Sequence, residues 1–489
     1  MLSNLNQTNS TPMDSTKTTP VVAAADNKLG EGSFGQVFAN KAGQKECATK
    51  HMKLTFGEKD LPYIHETTLR EYAVLAQCGG GYIPKLLKAA KFDVTNDKLE
   101  LSMTHGGINL MDYSKTLPYV ERINFVPSLI YQLAAGLLQL QNSGVLHGDV
   151  KPQNILVDPK TKKIRVIDFG ITTFAQTATS QASYMDHGTY VYCPYETFKS
   201  NKAYNTSCVW NIAMSVIDFL YKRYGGVEYF TEKYPHLNTV AKEDYNFLKI
   251  KKIFEYLNQL AISSSDSKMD ISGIRPFDDL KTALPGIHSL ISKMIDMNPT
   301  TRITLEQICQ APELLSLYKP SYIRLPKVRT VTDVSSPWKT NQDQRAGQLN
   351  SLTMTANMVN RQASVPLAVL LMDLYLSKVS IAKEKLYLVG LSCLAIAVCL
   401  SENCEDLFSE LSNSVFRPYS LEDLFKMNLH IVQTLKGRVY YKTFVMDLQD
   451  KYNGVVNWGI VSRVMLASSA PYNNEVLVQR YTDLCYAKY

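Results

Sequence analysis

The chain has 489 residues, 45% of them hydrophobic, which is enough for two or three domains with sizeable cores. Its 52 lysines and arginines exceed its 45 acidic residues by only seven and are dispersed, so we expect no nucleic-acid partner. The nine cysteines include no C-x-x-C pair, and neither a signal sequence nor an apolar run long enough to cross a membrane is evident. We therefore expect reduced thiols, no membrane partner, and a location in the cytoplasm or nucleus.

The first segment, residues 1–22, is rich in Ser, Thr and Asn without an apolar period, which predicts a disordered tail. Residues 29–37 then read LGEGSFGQV and fit the pattern Gly-x-Gly-x-x-Gly-x-Val. Because Gly30, Gly32 and Gly35 have no Cβ, backbone N–H groups there can approach phosphates closely. Taken alone, such a pattern often marks only a hairpin turn.

A lysine and a glutamate follow in an order that suits an ion pair. Residues 47–50 read CATK and end at Lys50, and Glu71 lies in the helical stretch around residues 65–71. Each charge taken singly is better explained as a solvated surface group.

The most informative segment is residues 147–156, which read HGDVKPQNIL and are followed by the tripeptide DFG at 168–170. Asp149 is a candidate base, and Asn154 and Asp168 offer the oxygen ligands that Mg²⁺ prefers. An ordinary polar turn between two strands is the alternative interpretation of this segment alone.

These elements, in this order, make residues 23–318 resemble a eukaryotic-type protein kinase. The resemblance implies an α+β protein kinase fold with a small β-rich N-lobe and a larger helical C-lobe, a protein substrate, and ATP and Mg²⁺ as cofactors. The pairing of Lys151 with Thr189 is typical of the serine/threonine branch. Glu196 is expected to bind Arg302.

The resemblance also implies a role for each site residue. Asp149 would accept the proton of the substrate hydroxyl, and Lys151 would steady the γ-phosphate. The ion pair of Lys50 and Glu71 would position ATP. The residues that would hold Mg²⁺ are Asn154 and Asp168, and those that would surround the nucleotide are Leu29, Gly30, Gly32, Gly35, Val37, Ala48, Lys50, Thr104, Gly106 and Leu156.

The C-terminal third has the pattern of a helical bundle. Residues 365–376 carry leucines at i, i+3, i+4 and i+7 on one helix face, and residues 386–400 are apolar nearly all round. The second run is too short to span a bilayer and is expected to be a central buried helix. Ser420 and Asp423 form a capping box that opens a further helix. This order of helices resembles a cyclin box over about residues 355–450, and an unrelated helical bundle is the alternative.

The helix around residues 65–71 resembles the PSTAIRE helix of cyclin-dependent kinases, with which it shares Thr, Arg and Glu in register. A cyclin binds that helix in the family, so we expect the two parts of this chain to contact each other in cis through it. The predicted organisation is a tail (1–22), a kinase domain (23–318), a linker (319–352) and an all-α cyclin-like bundle (353–489).

Several departures from the family bear on activity. Gly148 replaces the Arg that normally binds an activation-segment phosphate, which leaves Arg70 as one possible phosphate partner. Cys208 replaces an Asp that hydrogen-bonds the catalytic loop, and the loss of such a bond costs about 1.5–3 kcal/mol. Cys399 and Asn428 stand where cyclins place the Lys and Glu that clamp the kinase helix.

Two functions from different classes therefore remain open. The first is an active serine/threonine kinase with an in-cis cyclin-like activator. The second is a pseudokinase scaffold whose cyclin-like part recruits another kinase or a substrate. Retention of Lys50, Asp149 and Asp168 favours the first function, whereas Gly148 and Cys208 keep the second open.

Overall fold

The structure, a computed structural model, describes residues 27–32, 35–42, 45–53, 61–88, 90–93, 98–174, 182–183, 189–200, 202–238, 245–264, 270–320, 342–401, 419–441, 443–452, 456–466 and 474–486. The expected tail, residues 1–22, lies outside this part, as do Ser33 and Phe34 of the glycine-rich segment. Three units follow one another along the chain: a β-rich lobe, a helical lobe and a helical bundle.

A five-stranded antiparallel sheet with strand order β1-β2-β3-β5-β4 forms the N-lobe. Its strands are β1 Lys28–Gly32, β2 Gly35–Ala42, β3 Lys45–Lys53, β4 Lys91–Asp93 and β5 Lys98–Thr104, and helix α1 (Leu61–Cys78) lies between β3 and β4 in the chain. In β5, Leu99 and Leu101 are fully buried between more exposed neighbours, the alternation of a half-buried strand. The strand register sets Lys50 between Val37 and Leu101, in the middle of the sheet.

The C-lobe is mostly helical. Its helices are α2 Leu110–Thr116, α3 Tyr119–Gln141, α4 Tyr195–Ser200, α5 Ser207–Tyr221, α6 Phe230–Lys233, α7 Tyr245–Ser264, α8 Arg275–Ala283, α9 Pro285–Met294, α10 Leu305–Cys309 and α11 Pro312–Leu315. Its short strands are β6 Ile108–Asn109, β7 Val145–Leu146, β8 Ile155–Val157, β9 Ile164–Val166, β10 Thr173–Phe174, β11 Ala182–Ser183 and β12 Lys202–Ala203. They pair as β6-β8-β9, β7-β10 and β11-β12. Helices α3 and α5 pack on each other and form the centre of this lobe.

Helix α3 corrects one expectation from the sequence. It has 23 residues with a mean hydropathy of 1.3 over its most apolar window, so by length and composition it is long enough to cross a membrane. However, 83% of that window is buried inside the protein. The core helix of a globular domain passes the same test, so α3 gives little support for a membrane span.

The C-terminal bundle, residues 342–486, is helical throughout the part that the structure describes. Its helices are α12 Gln342–Met358, α13 Val365–Leu376, α14 Leu386–Ser401, α15 Leu421–Thr434, α16 Phe444–Lys451, α17 Trp458–Leu466 and α18 Asn474–Tyr486. Helix α14 is buried from Leu388 to Leu400 and packs against α12, α13 and α15, so the expected central buried helix is confirmed. The capping box of Ser420 and Asp423 is also present at the start of α15.

Helix α12 begins inside the segment predicted as a linker, residues 319–352, and corrects that boundary. Arg345 forms a buried ion pair with Asp373 of α13 at 3.3 Å, and Leu349 and Leu352 are buried on the same helix. Residues 342–352 are therefore part of the C-terminal bundle. The segment is mostly polar because only one narrow face of α12 is buried, which is why it resembles a linker in sequence.

The C-terminal bundle packs directly on the kinase-like lobes. Helix α14 contacts α1, and the side chain of Gln77 on α1 exchanges two hydrogen bonds with the main chain of Tyr440, at 2.9 and 3.1 Å. The Tyr440 ring lies 4.6 Å from the ring of Phe174. The expected contact through α1 is thus present, and one hydrophobic core runs through all three units.

Candidate active site

Lys50 on β3 and Glu71 on α1 form a buried ion pair, with 3.2 Å between Nζ and Oε1. A second carboxylate, that of Asp168, lies 3.5 Å from the same Nζ. Burial works against the ammonium charge, but the two carboxylates outweigh it and the pKa of Lys50 is raised. Glu71 also accepts the backbone N–H of Phe169 at 2.6 Å. One carboxylate therefore ties helix α1 to both the lysine and the segment that carries Asp168.

His147 anchors the loop that carries Asp149. Its Nδ1 accepts the backbone N–H of Asp149 at 3.2 Å, and its Nε2 lies 3.0 Å from the carbonyl oxygen of Ile167. The ring is buried with its centroid 5.3 Å from that of Phe169. Burial lowers the pKa of His147, so the imidazole is neutral at pH 7, and a proton on Nε2 satisfies both contacts.

The carboxylate of Asp149 is fixed by donors on both of its oxygens. Oδ2 accepts a hydrogen bond from Nδ2 of Asn154 at 3.1 Å and lies 2.6 Å from Nζ of Lys151. Oδ1 accepts hydrogen bonds from the backbone N–H and the hydroxyl of Thr189 at 3.3 and 3.2 Å. Lys151 also donates to the Thr189 hydroxyl at 2.7 Å, so the structure brings these four residues together.

Gly148 has a backbone conformation that disfavours a side chain. Its φ is +81°, and a Cβ built there would lie 2.9 Å from the carbonyl oxygen of Ile171. An L-residue in this conformation is strained by about 1–2 kcal/mol even without the close contact. The glycine that replaces the family's arginine therefore relaxes the loop at this point.

Asn154 and Asp168 carry the donor atoms that a Mg²⁺ site needs. The Nδ2 of Asn154 is used in hydrogen bonds to Asp149, which leaves its amide oxygen as the atom for a cation. The Asp168 side chain is 32% exposed and thus accessible. Two oxygen ligands fit Mg²⁺, because this ion takes waters and substrate phosphates as further ligands. In the described part of the chain no group of three or more His, Cys, Asp or Glu residues could hold a metal by itself.

The residues expected around the nucleotide lie on the N-lobe sheet, on the segment that joins it to the C-lobe and on strand β8 of the C-lobe. Those on strands are Leu29, Gly30 and Gly32 on β1, Gly35 and Val37 on β2, Ala48 and Lys50 on β3, Thr104 on β5 and Leu156 on β8. A Cβ on Gly35 would lie 2.2 Å from the carbonyl oxygen of His51, so the close pairing of β2 with β3 requires glycine there. A Cβ on Gly106 would meet the Leu156 side chain at 2.4 Å, so these two residues pack closely together.

Comparison with known families decides what this arrangement belongs to. The family model described as the protein kinase domain matches residues 24–313, more than half of the chain. The chain belongs to the protein kinase family. The model of the N-terminal cyclin domain matches residues 320–440, so a kinase domain and a cyclin-like domain are joined in one chain, as the resemblance predicted.

The kinase is similar to cyclin-dependent kinase B2-1 of Arabidopsis thaliana. The two are 29% identical over 156 residues, which cover 29% of this chain and 48% of that protein. The chain thus spans about half the length of that relative.

The expected ion pair between Glu196 and Arg302 is present in the kinase. Two parallel hydrogen bonds of 2.6 and 3.0 Å join the guanidinium to the carboxylate, and the pair is buried. A two-bond arginine–carboxylate contact is among the stronger charged hydrogen bonds in proteins, so it fixes α4 to the segment before α10.

Helix α5 of the kinase carries Cys208 where the family has an aspartate. Its thiol donates to the carbonyl of Asn205 at 3.2 Å, and burial raises the pKa of Cys208 to about 12, so the thiol is neutral at pH 7. A buried carboxylate, Asp218, follows on the same helix. It accepts the N–H groups of Gly225 and Gly226 at 3.0 and 3.1 Å and the hydroxyl of Tyr192. The buried acid of α5 therefore holds the segment at Tyr192.

Arg70 corrects another expectation, because its guanidinium faces the cyclin-like part. It forms an ion pair with Glu66 and donates its Nε to the main-chain carbonyl of Cys399 at 2.6 Å. The spacing of Glu66 and Arg70, i and i+4 on a helix, is a sequence signal for this pair. The residue at 399 thus contributes its backbone to the contact, and Asn428 is fully buried in the bundle.

Proposed function

We propose that this chain is an ATP- and Mg²⁺-dependent protein serine/threonine kinase activated in cis by its cyclin-like part. The observation that carries the proposal is the position of Glu71. Its carboxylate binds Lys50 and the backbone of Phe169, while the helix that carries it contacts α14 of the C-terminal bundle. Contact with the bundle and alignment of the ATP-binding lysine therefore share one helix.

The chain's own residues then have defined tasks in phosphoryl transfer. Asp149 orients the substrate hydroxyl and accepts its proton, and Lys151 steadies the γ-phosphate as it transfers. Lys50, held by Glu71, positions the other phosphates. Mg²⁺ bound by Asn154 and Asp168 would neutralise phosphate charge.

The bond between Lys151 and Thr189 supports serine and threonine as the acceptor residues. Both side chains contact the Asp149 carboxylate, so the three groups lie where the substrate hydroxyl must approach. This is the pairing that the serine/threonine branch of the family carries.

The test is phosphorylation of a generic basic protein by the purified full chain with Mg·ATP. We expect phosphoserine and phosphothreonine in the product, and Asp149→Asn should lower the rate by orders of magnitude because no base remains. The matched control is Asp343→Asn, an isosteric change at an exposed position on α12, which should leave the rate unchanged.

A second variant separates the metal ligand from the base. Asp168→Ala should abolish transfer and also weaken Mg·ATP binding measured by calorimetry, whereas Asp149→Asn should leave Mg·ATP binding intact. Activity retained in either variant would contradict the kinase proposal.

The alternative function is a pseudokinase scaffold whose cyclin-like part recruits another kinase or a substrate. The observation that favours it is Cys208, a neutral buried thiol where the family has a carboxylate. A full chain that binds Mg·ATP but phosphorylates neither itself nor the basic protein would support the scaffold function instead.

A further inference from the structure

Arg122, in the first turn of helix α3, differs from the other buried arginines that the structure describes. Those three, Arg70, Arg302 and Arg345, each form an ion pair with a carboxylate. Arg122 is only 6% exposed, yet it forms no ion pair with any described residue and its buried Nε has no hydrogen-bond partner there. Burial lowers the pKa of Arg122, because it disfavours an uncompensated charge. A buried cation without a carboxylate indicates that an anion is missing from its surroundings.

The guanidinium of Arg122 lies at the N-terminal end of α3. Its Nη1 donates to the carbonyl of Leu117, two residues before the helix begins, at 2.9 Å. Its Cζ lies 5.1 Å from the centre of the Tyr119 ring, on the first residue of the helix. The side chain therefore folds back past its own turn and adds its charge to the positive end of the helix dipole.

This helix end has no side-chain cap. The N-cap residue is Pro118, whose side chain cannot accept a hydrogen bond. The backbone N–H groups of Tyr119, Val120 and Glu121 have no partner among the described residues. Glu121 stands where an acid often bonds back to the N–H of the cap, but a proline has no N–H. Val120 is 67% exposed, so a ligand can approach this end of the helix.

A second cation adds to the positive charge at this place. Lys222, at the C-cap of α5, is exposed, and slight desolvation together with the charge of Arg122 lowers the pKa of Lys222. A carboxylate near the Tyr119 ring, that of Asp279, accepts the Tyr119 hydroxyl and lies 3.7 Å from Arg275. Its charge is therefore already matched, and the two cations keep an excess of positive charge.

We propose that the N-terminus of α3, together with Arg122 and Lys222, binds the dianion of a phosphate monoester or of free phosphate. Three phosphate oxygens match three free N–H groups, and two negative charges match the two side chains. The exposed Val120 side chain offers an apolar contact to a peptide that carries the phosphate. None of these residues belongs to the candidate active site, so the proposal does not rest on the proposed function.

The test uses the full chain made with nitrogen-labelled valine, in which the Val120 amide resonance is assigned by its loss in Val120→Ile. The probes are inorganic phosphate, a glycine–alanine pentapeptide with a central phosphoserine, and the same peptide without phosphate. We expect the first two probes to shift the Val120 resonance to saturation and the third to leave it unchanged. A phosphopeptide that binds more tightly than phosphate identifies a phosphorylated protein as the ligand, whereas equal or weaker binding identifies free phosphate.

Substitutions then show whether the two cations form the site. Arg122→Gln should raise the Kd of the tighter probe by about tenfold, which corresponds to about 1.4 kcal/mol. Lys222→Gln should raise it by about threefold, because an exposed cation contributes less than a buried one. The matched control is Lys251→Gln, which removes the same charge from a half-exposed lysine on α7 and should leave the Kd unchanged.

Two results would overturn the proposal. The first is a Val120 resonance that does not move, or that moves without saturation, which would mean an adventitious ion only. The second is wild-type affinity in Arg122→Gln. If that variant does not fold, Lys222→Gln decides the question, and an unchanged Kd in it overturns the proposal.

Discussion

Gly148 illustrates how one residue can set the backbone strain in the loop that carries Asp149. Its φ of +81° and the 2.9 Å approach of the Ile171 carbonyl oxygen to a Cβ are two separate obstacles to a side chain. We expect Gly148→Ala to lower the free energy of unfolding by more than the about 1–2 kcal/mol of backbone strain, and to reduce phosphoryl transfer. Urea unfolding and a rate assay measure the two effects.

Gly273 offers the control for this prediction. Its φ is +78°, but a Cβ there would have no atom within 4 Å. Gly273→Ala should therefore show the backbone strain alone, with unchanged phosphoryl transfer. Equal losses of stability in the two variants would mean that the contact with Ile171 is unimportant.

The raised pKa of buried Asp218 leads us to expect that the free energy of unfolding depends on pH. Burial raises its pKa to about 6 in the folded protein, against about 3.9 in an unfolded chain, even though Tyr192 and two backbone N–H groups donate to it. Between these values the folded state binds a proton that the unfolded state does not, so this group adds stability as the pH falls from 7 towards 4. Tyr229 faces the same carboxylate but stays protonated in this range because burial raises its pKa further.

The measurement compares wild type with Asp218→Asn by urea unfolding at several pH values. The difference in unfolding free energy should change in favour of wild type by about 1–3 kcal/mol between pH 7.5 and pH 4.5. His147, whose lowered pKa acts in the opposite direction, is common to both proteins and cancels. A difference that does not change with pH would show that Asp218 is ionised at both ends of the range.

At the scale of elements, the segment between the DFG tripeptide (168–170) and helix α4 corresponds to the activation segment of the family, and we expect it to support activity without a bound phosphate. Its described strand β11 carries Ser183, paired with Lys202 of β12. Gly148 offers no side chain to a phosphate, and Arg70 is buried against α14. Each missing charge-assisted contact removes about 1.5–3 kcal/mol of possible stabilisation.

We therefore expect phosphatase treatment to change the phosphoryl-transfer rate little. Mass spectrometry before and after treatment establishes whether Ser183 carried phosphate. A fall of about tenfold in the phosphoryl-transfer rate, which corresponds to a barrier higher by about 1.4 kcal/mol, would show that other residues bind a phosphate on this segment.

The elements also show where prediction from sequence succeeds. The resemblance to protein kinases is what predicts that Lys50 on β3 meets Glu71 on α1, whereas Asp149 and Asn154 share one short loop and lie close together by their spacing alone. The contacts of Arg70 with residue 399 and of Gln77 with residue 440 join positions 329 and 363 residues apart. Their partners are main-chain atoms, which every residue type carries, so no side-chain pattern marks them. Helix α12 carries no recognisable helical pattern in its sequence because its buried face is too narrow to produce an apolar period.

At the scale of the molecule, we expect the segment that joins the two domains, residues 321–341, to determine how strongly the C-terminal bundle activates the kinase domain. The structure places a buried charged contact and two hydrogen bonds between domains, and the tether adds an effective concentration of about millimolar. We expect a chain with a protease site inserted within residues 321–341 to be fully active before cleavage. After cleavage, its specific activity should fall as the protein is diluted, because the bundle dissociates from the kinase domain.

The uncleaved chain, diluted in the same series, is the control and should keep a constant specific activity. Cleaved protein whose specific activity is also independent of concentration would mean either that the interface alone holds the domains together or that the bundle is not an activator. Gel filtration of the cleaved protein at the lowest concentration separates these two outcomes.

Because helix α14 and the helix α1 that it contacts belong to one polypeptide, each translated chain supplies the kinase domain and the cyclin-like bundle in equal number. A cell that regulates a separate cyclin by timed synthesis and destruction varies the ratio of the two partners, and that ratio is fixed at one here. If the bundle activates the kinase domain as proposed, synthesis and degradation of the bundle cannot change the activity independently of the kinase domain.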